Sequence, residues 1–156
     1  MATTRVAIAL GSNLGDRDAH LAFGVRRLTA LLSHLRQSSF VDTAPVGVGA
    51  QPRFLNGVVV GETGLTARAL LDRLLAIERE DGRERPGPGA PRTLDLDLIL
   101  YGNDRIAEPG LVVPHPRFHE RLFVLEPLAE LEPDWIDPVS GMAVSALLQQ
   151  ARQRPS

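Results

Sequence analysis

The chain has 156 residues, of which 44% are hydrophobic and 23% charged, and it contains no cysteine. This length and composition are typical of a globular protein, so we expect one domain over residues 1–156 with a frayed tail at 149–156. The net charge of −2 argues against broad nucleic-acid binding, which requires a strongly basic surface. Without cysteine there are no disulfides, thiolate nucleophiles or cysteine-ligated zinc sites.

Two further absences narrow the class of protein. No apolar run approaches the roughly 20 residues of a membrane span, and the apolar run at 6–10 is too short for a signal peptide. We therefore expect a cytoplasmic protein that does not bind membranes, and we expect it to be a monomer.

The chain contains no lysine. All 17 basic residues are arginine, which excludes Schiff-base chemistry and a P-loop lysine. Phosphate binding would therefore use arginine, histidine, backbone N–H groups or metal.

The hydrophobic pattern predicts strands and helices in alternation, with long loops at 44–53 and 82–91. The order strand, helix, strand, strand, helix, strand is the split βαβ pattern of the ferredoxin-like α+β class. It predicts a mainly antiparallel four-stranded sheet with helices on one face and long catalytic loops on the other. In chain order the predicted elements are strand 6–10, helix 21–35, strands 40–43 and 54–62, helix 65–80, strand 95–101, a small hairpin at 106–113, and helices 121–131 and 144–151.

The predicted strand at 95–101 carries two carboxylates. Strict alternation places Asp95 and Asp97 on one face, about 7 Å apart, together with Thr93, Ile99 and Tyr101. Like charges this close repel on a half-buried sheet, so we expect an arginine or a divalent cation beside them. The alternative is a solvated edge strand with two surface aspartates. The opposite face would carry Leu94, Leu96, Leu98 and Leu100.

The loop before this strand carries three arginines, Arg83, Arg85 and Arg92. These cations could form simple surface ion pairs with the carboxylates, which would contribute little. They could instead clamp a polyphosphate whose metal ion is held by Asp95 and Asp97. Glycine and proline in the loop would allow it to close over a substrate.

Two other segments offer groups for an anion and for a flat ligand. His115 lies between two prolines, and either a presented imidazole or a structural turn histidine fits that position. Arg121 begins a predicted helix, where the positive helix end disfavours a cation unless an anion binds there. Asn56 can hydrogen-bond the edge of a heterocycle while Phe54 or Phe123 stacks on its face, although core packing is the alternative for either ring.

Taken in order, these segments resemble the 6-hydroxymethyl-7,8-dihydropterin pyrophosphokinase family of folate biosynthesis. The similarity extends nearly from end to end, and its RTLDLD run is highly specific. The matching motifs are IALGSNLG at 8–15, FLNG at 54–57, PRTLDLDLILYG at 91–102, VPHPR at 113–117 and FVLEPL at 123–128.

The resemblance implies transfer of the terminal pyrophosphoryl unit of ATP to the pterin hydroxymethyl group, with release of AMP. It implies two Mg²⁺ ions on Asp95 and Asp97, ATP as co-substrate, and no dedicated general base. Arg83 and Arg92 would act with these two carboxylates in catalysis. The ATP-binding residues would be Glu78, Arg83, Arg85, Arg92, His115 and Arg121. The pterin slot would be lined by Thr43, Val46, Phe54, Asn56, Asp95 and Phe123.

Two positions depart from the family pattern. Gly89 stands where members often carry an aromatic residue, commonly tryptophan, so the loop would close less tightly over the pterin. Phe54 replaces a frequent tyrosine and loses only a hydroxyl. Two other functions stay open: a module that binds a nucleotide without consuming it, and a metal-dependent phosphohydrolase that releases phosphate or pyrophosphate from ATP.

Overall fold

The computed structural model of the protein describes residues 2–43, 53–82 and 93–154. The predicted site residues Val46, Arg83, Arg85 and Arg92, and the variant position Gly89, lie outside these ranges. The described elements are β1 (Thr4–Ser12), α1 (Arg17–Leu31), β2 (Ser33–Gln37), β3 (Val41–Thr43), β4 (Phe54–Thr63), α2 (Ala67–Asp81), β5 (Asp95–Tyr101), β6 (Ile106–Glu108), β7 (Leu111–Val113), a 3-10 helix (Phe118–Glu120), α3 (Leu122–Leu131) and α4 (Val144–Gln153).

The main sheet has the order β2-β4-β1-β5, and the short β3 pairs with the beginning of β4. All of these neighbours are antiparallel. Helix α1 connects β1 to β2 across β4, and α2 connects β4 to β5 across β1, which is the split βαβ arrangement. The α+β class and the antiparallel sheet are therefore confirmed, with β3 as a fifth strand.

Strand β2 replaces the end of the predicted first helix. Leu32 and Leu35 continue the apolar spacing of α1, but the helix ends at Leu31 and His34 has a φ of 54°. Residues Ser33–Gln37 instead pair with the far half of β4. Pairing with a distant strand therefore outweighs the local helical pattern in this segment.

Helices cover both faces of the sheet, whereas the sequence pattern placed them on one. The first core cluster joins Val6, Ile8 and Leu10 of β1 to α1 and α2. The second core cluster joins Ala7 of β1 and Val58 of β4 to α3 and α4. Because α3 and α4 carry their own buried apolar residues, they pack on a sheet surface of their own.

The C-terminal segment is more ordered than a frayed tail. Helix α4 continues to Gln153, and Ala151 is buried in the second core cluster. The predicted fraying of 149–156 is thus wrong for residues 149–153, because their apolar side packs on the sheet. Within the described ranges, no helix combines the length and the apolar character that crossing a bilayer requires.

Candidate active site

Asp95 and Asp97 project from β5 on the face that α3 and α4 partly cover. In the register of β1 and β5, Asp95 lies opposite Gly11 and Asp97 lies opposite Ala9. Paired residues of an antiparallel sheet share a face, and Ala9 packs against the second core cluster. Asp97 is exposed and Asp95 is half-buried. The predicted juxtaposition of the two carboxylates on one strand face is present.

A β-bulge interrupts the alternation of β5. Ile8 pairs with Leu98 and Ala7 with Leu100, so Ile99 is the extra residue. Leu100 therefore joins Ile99 in the second core cluster, and Tyr101 packs against the first. The predicted faces are correct for residues 94–98 and wrong for Leu100 and Tyr101.

The bulge also positions His115. The backbone N–H of His115 donates to the Ile99 carbonyl at 3.0 Å, and the Arg117 N–H donates to His115 Nδ1 at 3.2 Å. Burial lowers the pKa of His115 from its ordinary 6.5, while the Asp97 carboxylate acts in the opposite direction. At neutral pH the ring is mainly neutral, with Nδ1 as acceptor. The proton then lies on Nε2, which can donate to an anionic oxygen.

Arg121 lies at the N-terminus of α3, as the sequence predicted. It is the residue that precedes the first turn, and within the described ranges no side chain caps this end of the helix. Its guanidinium carbon lies 5.7 Å from the centroid of the Phe123 ring, within cation–π range. The guanidinium adds positive charge to the positive end of α3, so this part of the surface is suited to binding an anion.

The amide of Asn56 is held in place by its neighbours. Asn56 is only 7% exposed, and its Nδ2 donates to Thr43 Oγ1 at 2.7 Å. Its Oδ1 lies 2.9 Å from the position that a Cβ on Gly11 would take. Glycine at position 11 is therefore what allows the amide to lie flat against β1.

Phe54 and Phe123 lie on the same face of the sheet as this amide. Phe54 is two residues before Asn56 on β4 and pairs with Thr43 of β3. Phe123, at the start of α3, packs against the second core cluster. Both rings are half-buried, so each retains surface that a flat ligand can contact.

Small residues separate the carboxylates from the amide. On the central strand β1, Gly11 lies between Asp95 and Asn56, and Ala9 lies between Asp97 and Val58. Two strand spacings make this gap about 10 Å wide. From β1, Ala9 contributes one methyl group to this gap and Gly11 contributes no side chain, and the Asn56 amide extends over Gly11.

Glu78 lies at the edge of β5 and apart from this face. It belongs to α2, is 6% exposed, and its Oε2 accepts a hydrogen bond of 2.7 Å from the Leu96 backbone N–H. This hydrogen bond satisfies a backbone N–H on the outer edge of β5, the edge that faces away from β1. Its predicted contact with a nucleotide stays a prediction.

A second polar group, on the opposite face of the sheet because Asp42 pairs with Leu55, had no sequence signal. Arg17 Nη2 lies 3.2 Å from Asp42 Oδ2, and Arg53 Nε lies 2.9 Å from Asp42 Oδ1. Hydrogen bonds from Arg17 and then Arg53 lower the pKa of Asp42 below its usual range. Together with Asn13, Leu14 and Gly15, these three residues line a surface cavity of about 340 Å³. Arg17 looks in sequence like an ordinary charge on a helix.

The donor set on β5 fits magnesium that arrives with a phosphate ligand. Among the described residues, no group of three or more histidine, aspartate or glutamate side chains is placed to hold a metal ion. Asp95 and Asp97 supply two carboxylates on one face. Mg²⁺ is usually bound by one or two carboxylates, with water and substrate phosphate completing its shell.

Comparisons with known proteins agree with these motifs. The family model of 7,8-dihydro-6-hydroxymethylpterin-pyrophosphokinase (HPPK) matches residues 7–133. Two similar proteins are each named 2-amino-4-hydroxy-6-hydroxymethyldihydropteridine pyrophosphokinase. The one from Bacillus subtilis is 46% identical over 80% of this chain and 75% of its own length. The one from Haemophilus influenzae is 40% identical over 92% and 91%.

A solved structure shows the same fold. The crystal structure of Plasmodium falciparum HPPK-DHPS A437G with SDX-DHP matches at a TM-score of 0.80 and 13% identity. The match covers 96% of this chain and 45% of that longer chain. The family match and the two similar sequences go further than the fold. This chain belongs to the 7,8-dihydro-6-hydroxymethylpterin-pyrophosphokinase family.

Proposed function

We propose that the protein transfers the terminal pyrophosphoryl group of ATP to the hydroxymethyl group of 6-hydroxymethyl-7,8-dihydropterin, a step of folate biosynthesis, and that it requires magnesium. The observation that carries this proposal is the sheet register. It brings Asp95, Asp97 and Asn56 to one face with only Gly11 and Ala9 between them. Family membership over residues 7–133 supports the same reaction.

The β4 side suits the pterin. The Asn56 amide, fixed by Thr43, offers hydrogen bonds to the edge of a flat heterocycle. Phe54 and Phe123 offer ring faces for stacking. Recognition of a buried edge by a fixed amide rejects rings that lack the matching groups, because the amide would be left unpaired.

The β5 side suits the triphosphate. Asp95 and Asp97 would hold magnesium, which when bound neutralises phosphate charge and lowers the pKa of a coordinated hydroxyl. The Nε2–H of His115 and the guanidinium of Arg121 would donate to phosphate oxygens. Arg83, Arg85 and Arg92 stay predicted contributors from outside the described residues. Catalysis would then rest on positioning and charge, without a dedicated general base.

Phosphorus NMR of the products tests this proposal. The purified protein is given ATP, magnesium and hydroxymethyldihydropterin, with a matched sample that lacks the pterin. We expect AMP and a pyrophosphorylated pterin in equal amounts, and no ATP consumption without pterin. Free phosphate or pyrophosphate in the pterin-free sample would instead indicate a phosphohydrolase. Nucleotide binding with no consumption in either sample would indicate a binding module.

A further inference from the structure

Three polar side chains from separate elements meet just before β5. The hydroxyl of Thr93 donates to Asp81 Oδ2 at 2.5 Å, and His20 Nδ1 lies 2.8 Å from Asp81 Oδ1. Thr93 precedes β5, Asp81 is the last residue of α2, and His20 belongs to α1. Each oxygen of the carboxylate therefore has a partner from a different element. None of the three was assigned a role above.

The position of Asp81 is unfavourable for an anion, which makes its contacts informative. The C-terminal end of a helix carries partial negative charge, so a carboxylate there is repelled. The Asp81 side chain is also only 7% exposed, and burial of a charged group costs free energy unless it is hydrogen-bonded. Both costs are offset here by Thr93 and His20. Because Asp81 is nearly buried, its hydrogen bond restrains the Thr93 side chain and is more than the solvation of a surface charge.

The start of β5 needs such a restraint. β5 is the last strand in the sheet order, and its pairing with β1 begins at Asp95 opposite Gly11. Thr93 and Leu94 come before that first pair, so the sheet ladder does not hold them. Leu94 alone lies between Thr93 and Asp95 in the chain. The hydrogen bond to Asp81, together with burial of Leu94 in the first core cluster, therefore restrains the chain just before Asp95.

We propose that Asp81 and Thr93 are positioning residues that orient Asp95, with His20 holding Asp81 from α1. The inference rests on the proposed role of Asp95 in holding magnesium with ATP. Small misplacements of a reacting group, of about 1 Å, can lower a rate by about 100-fold. Loss of this hydrogen bond is expected to lower kcat and to raise the magnesium requirement, and to leave the KM for the pterin nearly unchanged.

The test compares hydroxyl removal with hydroxyl retention. Thr93→Val keeps the shape of the side chain and removes its donor, whereas Thr93→Ser keeps the donor. Thr29→Val is the matched control, because the Thr29 hydroxyl donates to the Val25 carbonyl of its own helix on the exposed side of α1. Asp81→Asn is a second variant that disturbs the same bond from the other partner. Measured quantities are kcat, the KM values for both substrates, the magnesium concentration for half-maximal rate, and Tm.

We expect Thr93→Val and Asp81→Asn to lower kcat about tenfold with a raised magnesium requirement. Thr93→Ser should recover most of the rate lost in Thr93→Val, and Thr29→Val should match the wild type. The inference is overturned if Thr93→Val keeps the wild-type kcat, if Thr93→Ser is as slow as Thr93→Val, or if the loss of rate simply follows Tm. A wild type that makes no AMP would overturn the proposed function and this inference together.

Discussion

The β4 side of the candidate site carries an amide that a neighbouring side chain fixes, and the β5 side carries two carboxylates on one strand face. Asn56 is bonded to Thr43, and on the opposite face of the sheet Asp42 is bonded to Arg17 and Arg53. On β5, the three arginines predicted to balance the carboxylates lie outside the described residues. Among the described residues, the β4 side therefore presents a fixed amide and the β5 side presents two carboxylates.

This difference predicts separate kinetic effects for the two sides. Changes on β5 should act on the chemical step and on the magnesium requirement, because these carboxylates are the ones proposed to hold magnesium beside the phosphates. Changes around Asn56 should act on the KM for the pterin, because they alter the shape of the slot proposed to bind it. If a variant on one side produced the kinetic effect expected for the other side, the two sides would not have separate roles.

The largest effect is expected for Asp97→Ala. Metal ions contribute several kcal/mol to phosphoryl transfer, and each 1.4 kcal/mol is tenfold in rate, so AMP formation should fall by about 100-fold or more. Asp97 is exposed, so Tm and circular dichroism should match the wild type. Asp104→Ala removes an exposed aspartate from the turn after β5 and serves as control. Substantial AMP formation by Asp97→Ala would rule out the metal assignment.

An intermediate effect is expected for Gly11→Ala. The added Cβ would lie 2.9 Å from Asn56 Oδ1 and would push the amide out of its position. We expect the KM for the pterin to rise about tenfold, with stability lowered by about 1–2 kcal/mol. Steady-state kinetics and thermal unfolding measure both effects.

Gly64→Ala is the matched control for this change, because a Cβ at Gly64 would have no heavy atom within 4 Å. It should leave the KM for the pterin unchanged. If Gly11→Ala and Gly64→Ala had the same kinetics, the fixed amide would not determine pterin binding. If Gly11→Ala lowered kcat alone, the division between the two sides would be wrong.

The smallest effect is expected for Asp42→Asn, and it depends on pH. Because Arg17 and Arg53 lower the pKa of Asp42 below 3.8 in the folded protein, the ionised carboxylate stabilises the fold. This contribution is present above the unfolded pKa of 3.8 and is lost as pH falls through the lower folded value. The wild type should therefore have the higher Tm near pH 6, by a small margin because the groups are exposed. The difference should disappear in strong acid; a constant difference would contradict the ion pairs.

The sequence predicted the features of β5 that depend on local pattern and missed those that depend on pairing. Alternation alone placed Asp95 and Asp97 on one face. The bulge at Ile99 arises because β1 offers one residue fewer than β5 over the paired stretch, which no local pattern encodes. The helical spacing at Leu35 failed for a similar reason, since its segment pairs with β4.

The polar clusters show the same limit. Arg17 and Asp42 are 25 residues apart in the chain, and His20 and Asp81 are 61 apart. Each residue alone is a common surface type, so only the folded chain shows that they meet. The predicted Asn56 was recognisable because its motif resembles a known family. Thr93, in the RTLDLD run, had a motif but no assigned role.

The most direct test of the metal assignment is divalent-cation binding with nucleotide. Mn²⁺ suits the same oxygen ligands as Mg²⁺ and is visible by electron paramagnetic resonance. Wild type, Asp97→Ala and Asp104→Ala are titrated with Mn²⁺ in the presence of a non-hydrolysable ATP analogue. We predict that wild type and Asp104→Ala bind Mn²⁺ with the nucleotide more tightly than the nucleotide does alone, and that Asp97→Ala loses this gain. Equal Mn²⁺ binding by wild type and Asp97→Ala would contradict the metal assignment on β5.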